Sequence, residues 1–418
     1  MPETQASPSP RLFYGWVIAI CGALVLGVTH GVVTNCYSLY IIPVSTSLGV
    51  TRDAFSICSL IINAIYAVIS FASGAIYRRI DIRLTLRVAG LMLPVSYFCY
   101  SFCQSLAGFY LCSVLVGLSV SFLTFVPFTA IISNWFVEKR GLALGVCFMG
   151  SGLGGMVMNA LTALLLENFG WRNTYRVTGV IMLAVLIVML FFVIRVTPEE
   201  KGLRPLGQRG AVRVPVFGPS LREAVRSSSF FALLALAMII GLISSALVGI
   251  IAPHLCDLGY STAFASLVAT LYLGALAAAK LLLGRLYDKF GAIWGTAISL
   301  LGFIIGLAGL YFSHIPWVWL LILFASLGNA ASNLSYPLTT RYAFGTRSYA
   351  TLYGYMMGTN FVTSSVALFL SNRIYTVSGT YNPALLLLMG CAAAGLLLLP
   401  LIRPVQGAKD RDEKEDPS

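Results

Sequence analysis

Long apolar runs alternate with short polar gaps along the whole chain. Twelve of these runs reach the roughly 20 residues that a helix needs to cross a bilayer at a rise of about 1.5 Å per residue. Six precede a polar, basic stretch and six follow it. The runs cover residues 14–40, 53–77, 84–104, 107–135, 141–167, 174–195, 229–253, 261–287, 292–313, 316–340, 349–371 and 381–402. The pattern predicts an all-α integral membrane protein with 12 transmembrane helices.

The composition supports the same class. Of the 418 residues, 58% are hydrophobic and only 10% are charged, whereas soluble domains carry roughly 25% charged residues. The nine cysteines lie almost all in apolar runs, and the three histidines are widely separated, so we expect no disulfide framework, no metal site and no cofactor.

The basic residues are distributed unevenly between the two sides of the predicted membrane. If both termini are cytosolic, 22 of the 27 lysines and arginines lie in inner segments and only Arg52, Arg172, Arg176 and Arg373 lie in outer ones. By the positive-inside rule, this split predicts a multi-pass protein of the cell membrane with cytosolic termini. The net charge of +12 therefore reflects topology, and we expect no nucleic-acid partner.

The basic stretch divides the chain into two similar parts. We predict an N-terminal six-helix bundle at 1–195, a cytosolic linker at 196–228, a C-terminal six-helix bundle at 229–403 and a cytosolic tail at 404–418. The linker is rich in Pro, Gly and Arg and lacks an apolar run, which is typical of a connecting segment.

An internal repeat supports this division. Gly74-Ala-Ile-Tyr-Arg-Arg ends the second predicted span, and Gly284-Arg-Leu-Tyr-Asp-Lys ends the eighth, 210 positions later. Gly145 and Gly354, near the starts of spans five and eleven, are 209 positions apart. Matching landmarks at one offset indicate duplicated six-helix units, an arrangement found in many transporters.

The loop after span eight resembles the signature of the major facilitator superfamily, in which two six-helix bundles rock about a central site. Gly284, Asp288, Lys289 and Gly291 occupy the positions of its conserved glycine, acidic, basic and second glycine residues. The resemblance implies that these four residues gate the conformational change. The first-half copy departs from the signature, because Arg78 and Asp81 replace an aspartate and a glycine.

Three further stretches are similar to the monocarboxylate transporter and oxalate:formate antiporter branch of that superfamily. They are Tyr14-Gly15-Trp16, the block from Asn134-Trp135-Phe136 through Lys139-Arg140-Gly141 to Gly145, and Leu221 to Phe230 ahead of span seven. The resemblance implies transport of a small organic anion, and it adds Lys139, Arg140 and Gly141 to the gating residues.

Lys280 is the one charged residue deep in a predicted span, about 12 Å from Asp288 at 1.5 Å per residue. A charge at that depth costs on the order of 3 kcal/mol and usually marks an ion or substrate path. The alternative, a lysine snorkelling to the interface, requires a long reach. Within the resembled branch, Lys280 falls where relatives carry an essential arginine in span eight, so it is the candidate cation for a substrate carboxylate.

A second cation that dicarboxylate-exchanging relatives hold in span eleven corresponds here to Asn360. One buried cation favours a monocarboxylate, with Asn360 supplying a neutral hydrogen bond to the substrate. A polar contact between helices is the alternative for this residue.

His30 in span one could titrate near physiological pH and is a candidate proton carrier; a structural histidine is the alternative. The resemblance places Thr34 where proton-coupled relatives hold a lysine and Leu276 where they hold an aspartate, so their proton relay is absent in that form.

Other polar residues at membrane depth could line the same cavity, since such side chains seldom face lipid. They are Asn329 and Asn333 in span ten, Asn63 in span two and Ser151 in span five. Contacts between helices are the alternative for this set. A run of glycines from Gly141 to Gly155 predicts a close-packed edge along span five where the bundles rock, and Trp171-Arg172 and the tyrosines are expected to be interfacial anchors.

The leading functional hypothesis is a secondary transporter, acting as a monomer, that moves a small organic anion with protons or by exchange. A receptor with a transport fold but no flux, and a facilitator of another small solute, are the alternatives. The sequence has no Gly-x-Ser-x-Gly, His-Glu-x-x-His or phosphate-binding glycine loop, so we do not expect an enzyme.

Overall fold

The computed structural model describes residues 13–207, 217–315 and 317–405, and within these ranges the chain folds into helices without a β-strand. Three of the basic residues counted on the inner side, Arg11, Arg209 and Arg213, and most of the predicted tail lie outside the described residues. The α-helices are α1 Tyr14–Leu26, α2 Tyr37–Leu48, α3 Arg52–Arg79, α4 Ile82–Tyr100, α5 Leu106–Ser121, α6 Phe125–Trp135, α7 Arg140–Ile187, α8 Leu221–Ala224, α9 Ser228–Asp257, α10 Thr262–Tyr311, α11 Ala325–Phe344, α12 Tyr349–Ser378 and α13 Asn382–Leu398.

Eight helical stretches of the described chain are long and apolar enough to cross a membrane. Two of them, Arg140–Val193 and Leu267–Tyr311, are 54 and 45 residues long, about twice the length of one crossing. Each bends once, at Gly170 (φ 70°) and Gly291 (φ 79°), backbone conformations that favour glycine. Counting these as two spans each and adding α11 and α12 gives the twelve predicted spans, so the predicted fold class is confirmed.

Span one differs from its prediction in length and form. The helix does not stop near residue 40 but passes from α1 through a π-helix at Gly27–Asn35 and continues as α2 to Leu48. π-Helical turns widen a helix locally and are frequent at functional sites. The π-helix carries His30 and Thr34, two of the predicted site residues.

The two halves of the molecule meet along two helix pairs, α3 with α12 and α7 with α10. We call the end of the bundles where the linker lies the linker side. Near this end, Ser73 Oγ donates to the carbonyl of Ala350 at 3.3 Å, and the backbones of Gly141 and Gly284 face each other without room for a Cβ. The halves are therefore in close contact from the linker side towards the middle of the membrane.

The glycine-rich edge of span five serves two different interfaces. Gly150 and Gly154 pack against the backbone of Ala23 and Gly27, within the first half of the molecule. Gly141 and Gly145, by contrast, lie against α10 of the second half. The predicted single edge for rocking is thus divided, with one part fixing span one to span five and the other forming the interface between halves.

The beginning of the linker binds the loop that precedes α7. The carbonyl of Leu206 accepts the backbone N–H groups of Val137 (3.0 Å) and Glu138 (3.1 Å), and the N–H of Leu206 donates to the carbonyl of Trp135 at 2.9 Å. The loop ahead of the interface helix α7 is therefore tied to the linker through main-chain bonds.

The end of the linker binds the corresponding loop of the second half, which precedes α12. The carbonyl of Phe217 accepts the N–H groups of Thr346 (2.9 Å) and Arg347 (3.1 Å), and the N–H of Phe217 donates to Thr346 Oγ1 at 3.2 Å. α7 and α12 each belong to one of the two helix pairs at which the halves meet. Each of these helices therefore begins at a loop that is hydrogen-bonded to the linker.

We expect Gly150→Ala to lower the thermal stability of the purified protein, because the added Cβ would run into the main chain of Ala23. Over-packing of this kind costs about 1–3 kcal/mol. Gly390→Ala is the matched control, since no atom lies within 4 Å of a Cβ at that exposed position of α13. Thermal unfolding in detergent that gives equal midpoints for the two variants would contradict the described packing of span one on span five.

Candidate functional site

Lys280 lies in the middle of α10 at the interface between the two halves. Only 3% of the residue is exposed. Its Nζ donates to the hydroxyl of Ser151 at 2.8 Å and to the main-chain carbonyl of Phe148 at 3.1 Å, both on α7. No carboxylate of the described chain lies within salt-bridge distance of it, and one of the three ammonium N–H groups is left without a protein partner. The structure therefore joins two predicted site residues, Lys280 and Ser151.

Polar groups from span one surround the other side of Ser151. The side-chain amide of Asn35 donates to the carbonyl of Ser151 at 3.2 Å, and the amide of Asn159 donates to the carbonyl of Asn35 at 3.0 Å. Sequence analysis missed Asn35, although it directly follows the predicted site residue Thr34. Thr34 itself is exposed, and its side chain forms no hydrogen bond with the part of the chain that the structure describes.

His30 lies in the same region, on the π-helix. Its ring packs edge-on against Phe125 with 4.9 Å between centroids. Its Nδ1 is buried and has no hydrogen-bond partner among the described residues. An unpaired ring nitrogen is an available acceptor for a hydroxyl group.

The amide side chains of the second half pair with tyrosines. Asn329 Nδ2 donates to the hydroxyl of Tyr272 and Asn360 Nδ2 donates to the hydroxyl of Tyr336, both at 2.7 Å. Asn329 and Asn360 are 7% and 6% exposed. None of these bonds reaches Lys280, so the structure shows contacts between helices of the second half. Each amide nevertheless retains a carbonyl oxygen that accepts no hydrogen bond among the described residues.

Two further predicted residues are not drawn into these contacts. Asn333 is half-buried and donates only to the hydroxyl of the neighbouring Ser332, at 3.3 Å. Asn63 is half-buried on α3 and its side chain makes no hydrogen bond among the described residues. The i, i+4 spacing puts Asn329 and Asn333 on one side of α11, and of the two only Asn329 has a side-chain hydrogen bond to another helix within the described chain.

The predicted gating residues form a connection between the halves on the linker side. The carboxylate of Asp288 accepts the N–H groups of Gly141 (2.7 Å) and Leu142 (2.8 Å) at the start of α7, a position where the helix dipole favours an anion. Gly284 lies one turn from Asp288, against the backbone of Gly141. Lys289 lies over the ring of Phe290, and Gly291 forms the bend that ends span eight.

Lys139 and Arg140 lie at the start of α7, next to the N–H groups that bind Asp288. Lys139 adopts a left-handed conformation (φ 56°) as the N-cap of α7. Arg140 is buried, and its guanidinium donates to the carbonyls of Phe136 (2.8 Å and 3.1 Å) and Ser133 (3.4 Å) at the end of α6. A cation suits the C-terminal carbonyls of a helix. Arg140 therefore holds the end of α6 next to the start of α7.

The first-half copy of this motif has a different construction. Asp81 is the N-cap of α4, where its carboxylate accepts the N–H of Arg83 at 2.8 Å. Arg78 is exposed and makes no bond that mirrors the Asp288 contact. In its place, the stacked rings of Tyr66 and Phe361 (4.0 Å) contribute to the contact between α3 and α12.

The prediction that the tyrosines and Trp171 are interfacial anchors is wrong for several of them. Tyr66, Tyr272, Tyr336 and Tyr353 are 1–2% exposed, and Trp171 packs against Phe109 and Tyr175 inside the first half. The spacing of Tyr272, two helical turns before Lys280, was a signal that could have identified it, because residues at i, i+4 and i+8 line one side of a helix.

Known proteins that resemble this chain are transporters. The chain is 27% identical over 284 residues to the uncharacterized transporter ESBP6 of Saccharomyces cerevisiae, covering 66% of this chain and 42% of that protein. It is 24% identical over 327 residues to human monocarboxylate transporter 11, covering 72% and 66%. It is 25% identical over 175 residues to mouse monocarboxylate transporter 12, covering 42% and 35%. The chain thus aligns with less than two thirds of the length of each of these relatives.

The fold also matches a solved structure. The proton:xylose symporter XylE bound to 6-bromo-6-deoxy-D-glucose superposes with a TM-score of 0.73 at 13% identity, covering 96% of this chain and 98% of XylE. The family profile of the Major Facilitator Superfamily matches residues 19–255 and again 233–417, which agrees with the internal repeat. Because these matches cover nearly the whole sequence, the chain belongs to the Major Facilitator Superfamily.

Proposed function

We propose that this chain is a secondary transporter that moves a small organic anion across the membrane by alternating access. The observation that carries the proposal is the buried ammonium of Lys280, which lies between the two halves. Among the described residues it has no carboxylate partner, and one of its N–H groups donates to none of them. A cation in such a position pairs with an anionic substrate. The similarity to proteins named monocarboxylate transporters supports a carboxylate as that anion.

The proposed substrate carries one negative charge and additional hydroxyl groups. One buried cation balances one carboxylate, and Asn360 supplies no second charge at the position of span eleven. Because the amide nitrogens of Asn329 and Asn360 already donate to tyrosines, the groups they retain are carbonyl oxygens, which accept hydrogen bonds. A hydroxylated monocarboxylate has the donors to match them.

Proton symport and anion exchange both fit the proposed site. His30 has an unpaired ring nitrogen that could carry a proton. Exchange instead requires that a substrate occupy Lys280 during each reorientation. In either case the predicted bundles at 1–195 and 229–403 move as two bodies within a single protein molecule.

We also propose that the linker side faces the cytosol of the cell. The excess of lysine and arginine on that side supports this orientation. Since the halves are in contact on the linker side, the described conformation would then be closed towards the cytosol.

Replacement of Lys280 by Gln should abolish uptake of labelled monocarboxylates into proteoliposomes. Loss of one partner of a buried charge pair costs at least about 2 kcal/mol, which is roughly 30-fold in affinity. Lys280→Arg keeps the cation and should retain part of the activity. Lys201→Gln, at an exposed lysine of the linker, is the control that should transport normally. Undiminished uptake by Lys280→Gln would refute the assigned site.

The orientation can be tested with a native cysteine. Cys256 is exposed at the end of α9 away from the linker side. A membrane-impermeant maleimide should therefore label it in intact cells, and Cys256→Ser should remove that labelling. A cysteine introduced as Lys201→Cys into the Cys256→Ser protein should react only after permeabilisation. Labelling of Lys201→Cys in intact cells, with Cys256 protected, would show the inverted topology.

A further inference from the structure

The bonds between Lys280 and α7 form a closed hydrogen-bonded arrangement. The hydroxyl of Ser151 donates its proton to the carbonyl of Phe148 at 2.8 Å and accepts from Lys280 Nζ, while the same carbonyl also accepts from Nζ. Ser151, like Lys280, is 3% exposed. The ammonium is thus solvated by two neutral oxygen atoms, and both belong to the opposite half of the molecule.

These bonds depend on the contact between the halves. Gly145, less than two turns before Ser151, lies directly against the main-chain carbonyl of Lys280, with no room for a Cβ. On α10, about two turns from Lys280 towards the linker side, Asp288 binds the start of α7. If α7 and α10 separate on the linker side, Lys280 loses Ser151 and Phe148 together and must leave its charge unpaired in an apolar region.

An anionic substrate would remove this obstacle. A carboxylate is a stronger acceptor for an ammonium than a carbonyl or a hydroxyl, because a hydrogen bond between two charged groups is roughly twice as strong as a neutral one. The third N–H of Lys280 gives the carboxylate a point of attachment before the bonds to α7 break. Once paired with the substrate, the ammonium no longer needs the oxygen atoms of the opposite half.

We propose that Ser151 and the carbonyl of Phe148 form a latch on Lys280 that holds the empty carrier closed on the linker side, and that the substrate anion releases this latch. The inference rests on the proposed function and deepens it. The loaded carrier reorients readily and the empty carrier slowly, so the chain exchanges one anion for another faster than it carries out net transport. Ser151 is in this view a positioning residue that acts through Lys280.

The first test compares two fluxes in proteoliposomes preloaded with a labelled monocarboxylate. Efflux into buffer reports reorientation of the empty carrier, and efflux into unlabelled substrate reports exchange. For the wild-type chain, exchange should be at least about tenfold faster than net efflux, the factor expected for loss of a hydrogen bond to a charged group. Ser151→Ala should raise net efflux several-fold and thereby lower the ratio of exchange to net efflux, and Ser151→Thr, which keeps the hydroxyl, should restore the wild-type ratio.

The control for this test is Ser119→Ala. Ser119 is equally buried, but its hydroxyl donates only to the carbonyl of Leu115 in its own helix, at 2.7 Å. This variant should keep the wild-type ratio of exchange to net efflux. A ratio that is the same in Ser151→Ala and Ser119→Ala would overturn the latch, as would equal losses of both fluxes in Ser151→Ala.

The second test does not depend on transport. In the empty protein, hydrogen–deuterium exchange at the N–H groups of Gly141 and Leu142 reports opening on the linker side, because both are bonded to Asp288. Faster exchange there in Ser151→Ala than in Ser119→Ala supports the latch, and equal exchange overturns it. If the wild-type chain moves no carboxylate, the proposed function fails, whereas this measurement still decides whether Ser151 holds the linker side closed.

Discussion

The solvation of one ammonium group, that of Lys280, is the constraint on which the arrangement of the two halves depends. The chain has no acidic residue in the interior of a predicted span, so a neighbouring carboxylate cannot balance this charge. Its Nζ instead donates hydrogen bonds to the carbonyl of Phe148 and the hydroxyl of Ser151 across the interface. Two helices can exchange such short side-chain bonds only when their backbones approach closely, which is what Gly141 and Gly145 permit against α10. The polar contact and the small-residue packing are thus parts of one interaction.

The contact between the halves is not symmetric, although the chain is a repeat. In the pair α7 and α10, the carboxylate of Asp288 meets the positive end of a helix dipole. The equivalent position in the first half is Arg78, and a cation would be unfavourable at the start of α12. The pair α3 and α12 is held instead by close backbone packing and by the stack of Tyr66 on Phe361. The contact between α7 and α10 therefore depends on charge, whereas the contact between α3 and α12 depends on packing. A change in the ionisation of Asp288 would act on the two contacts unequally.

The sequence predicted the spans because an apolar run of sufficient length must cross the bilayer. It singled out Lys280 as a candidate because a lone charge inside such a run is conspicuous. It did not predict the partners of the polar residues. The spacing of Asn329 and Asn333 identifies one side of α11 but not the helix that packs there, and so Tyr272 was missed. Tyrosine is compatible with both an interface and a buried hydrogen bond, and local sequence does not distinguish them. The break between spans five and six was predicted at 168–173, where Gly170 bends the chain, because the polar residues Asn168, Arg172 and Asn173 interrupt the apolar run there.

The way the linker attaches to the bundles limits how far they can move apart. Its docking points use main-chain groups of Leu206 and Phe217, which every residue except proline carries, so attachment makes few demands on sequence. Between these two points lie about ten residues, and an extended chain of that length reaches at most about 35 Å. Each docking point belongs to one half, since Leu206 binds the loop ahead of α7 and Phe217 binds the loop ahead of α12. While both docking points hold, the length of the linker sets an upper limit on the distance between the start of α7 and the start of α12.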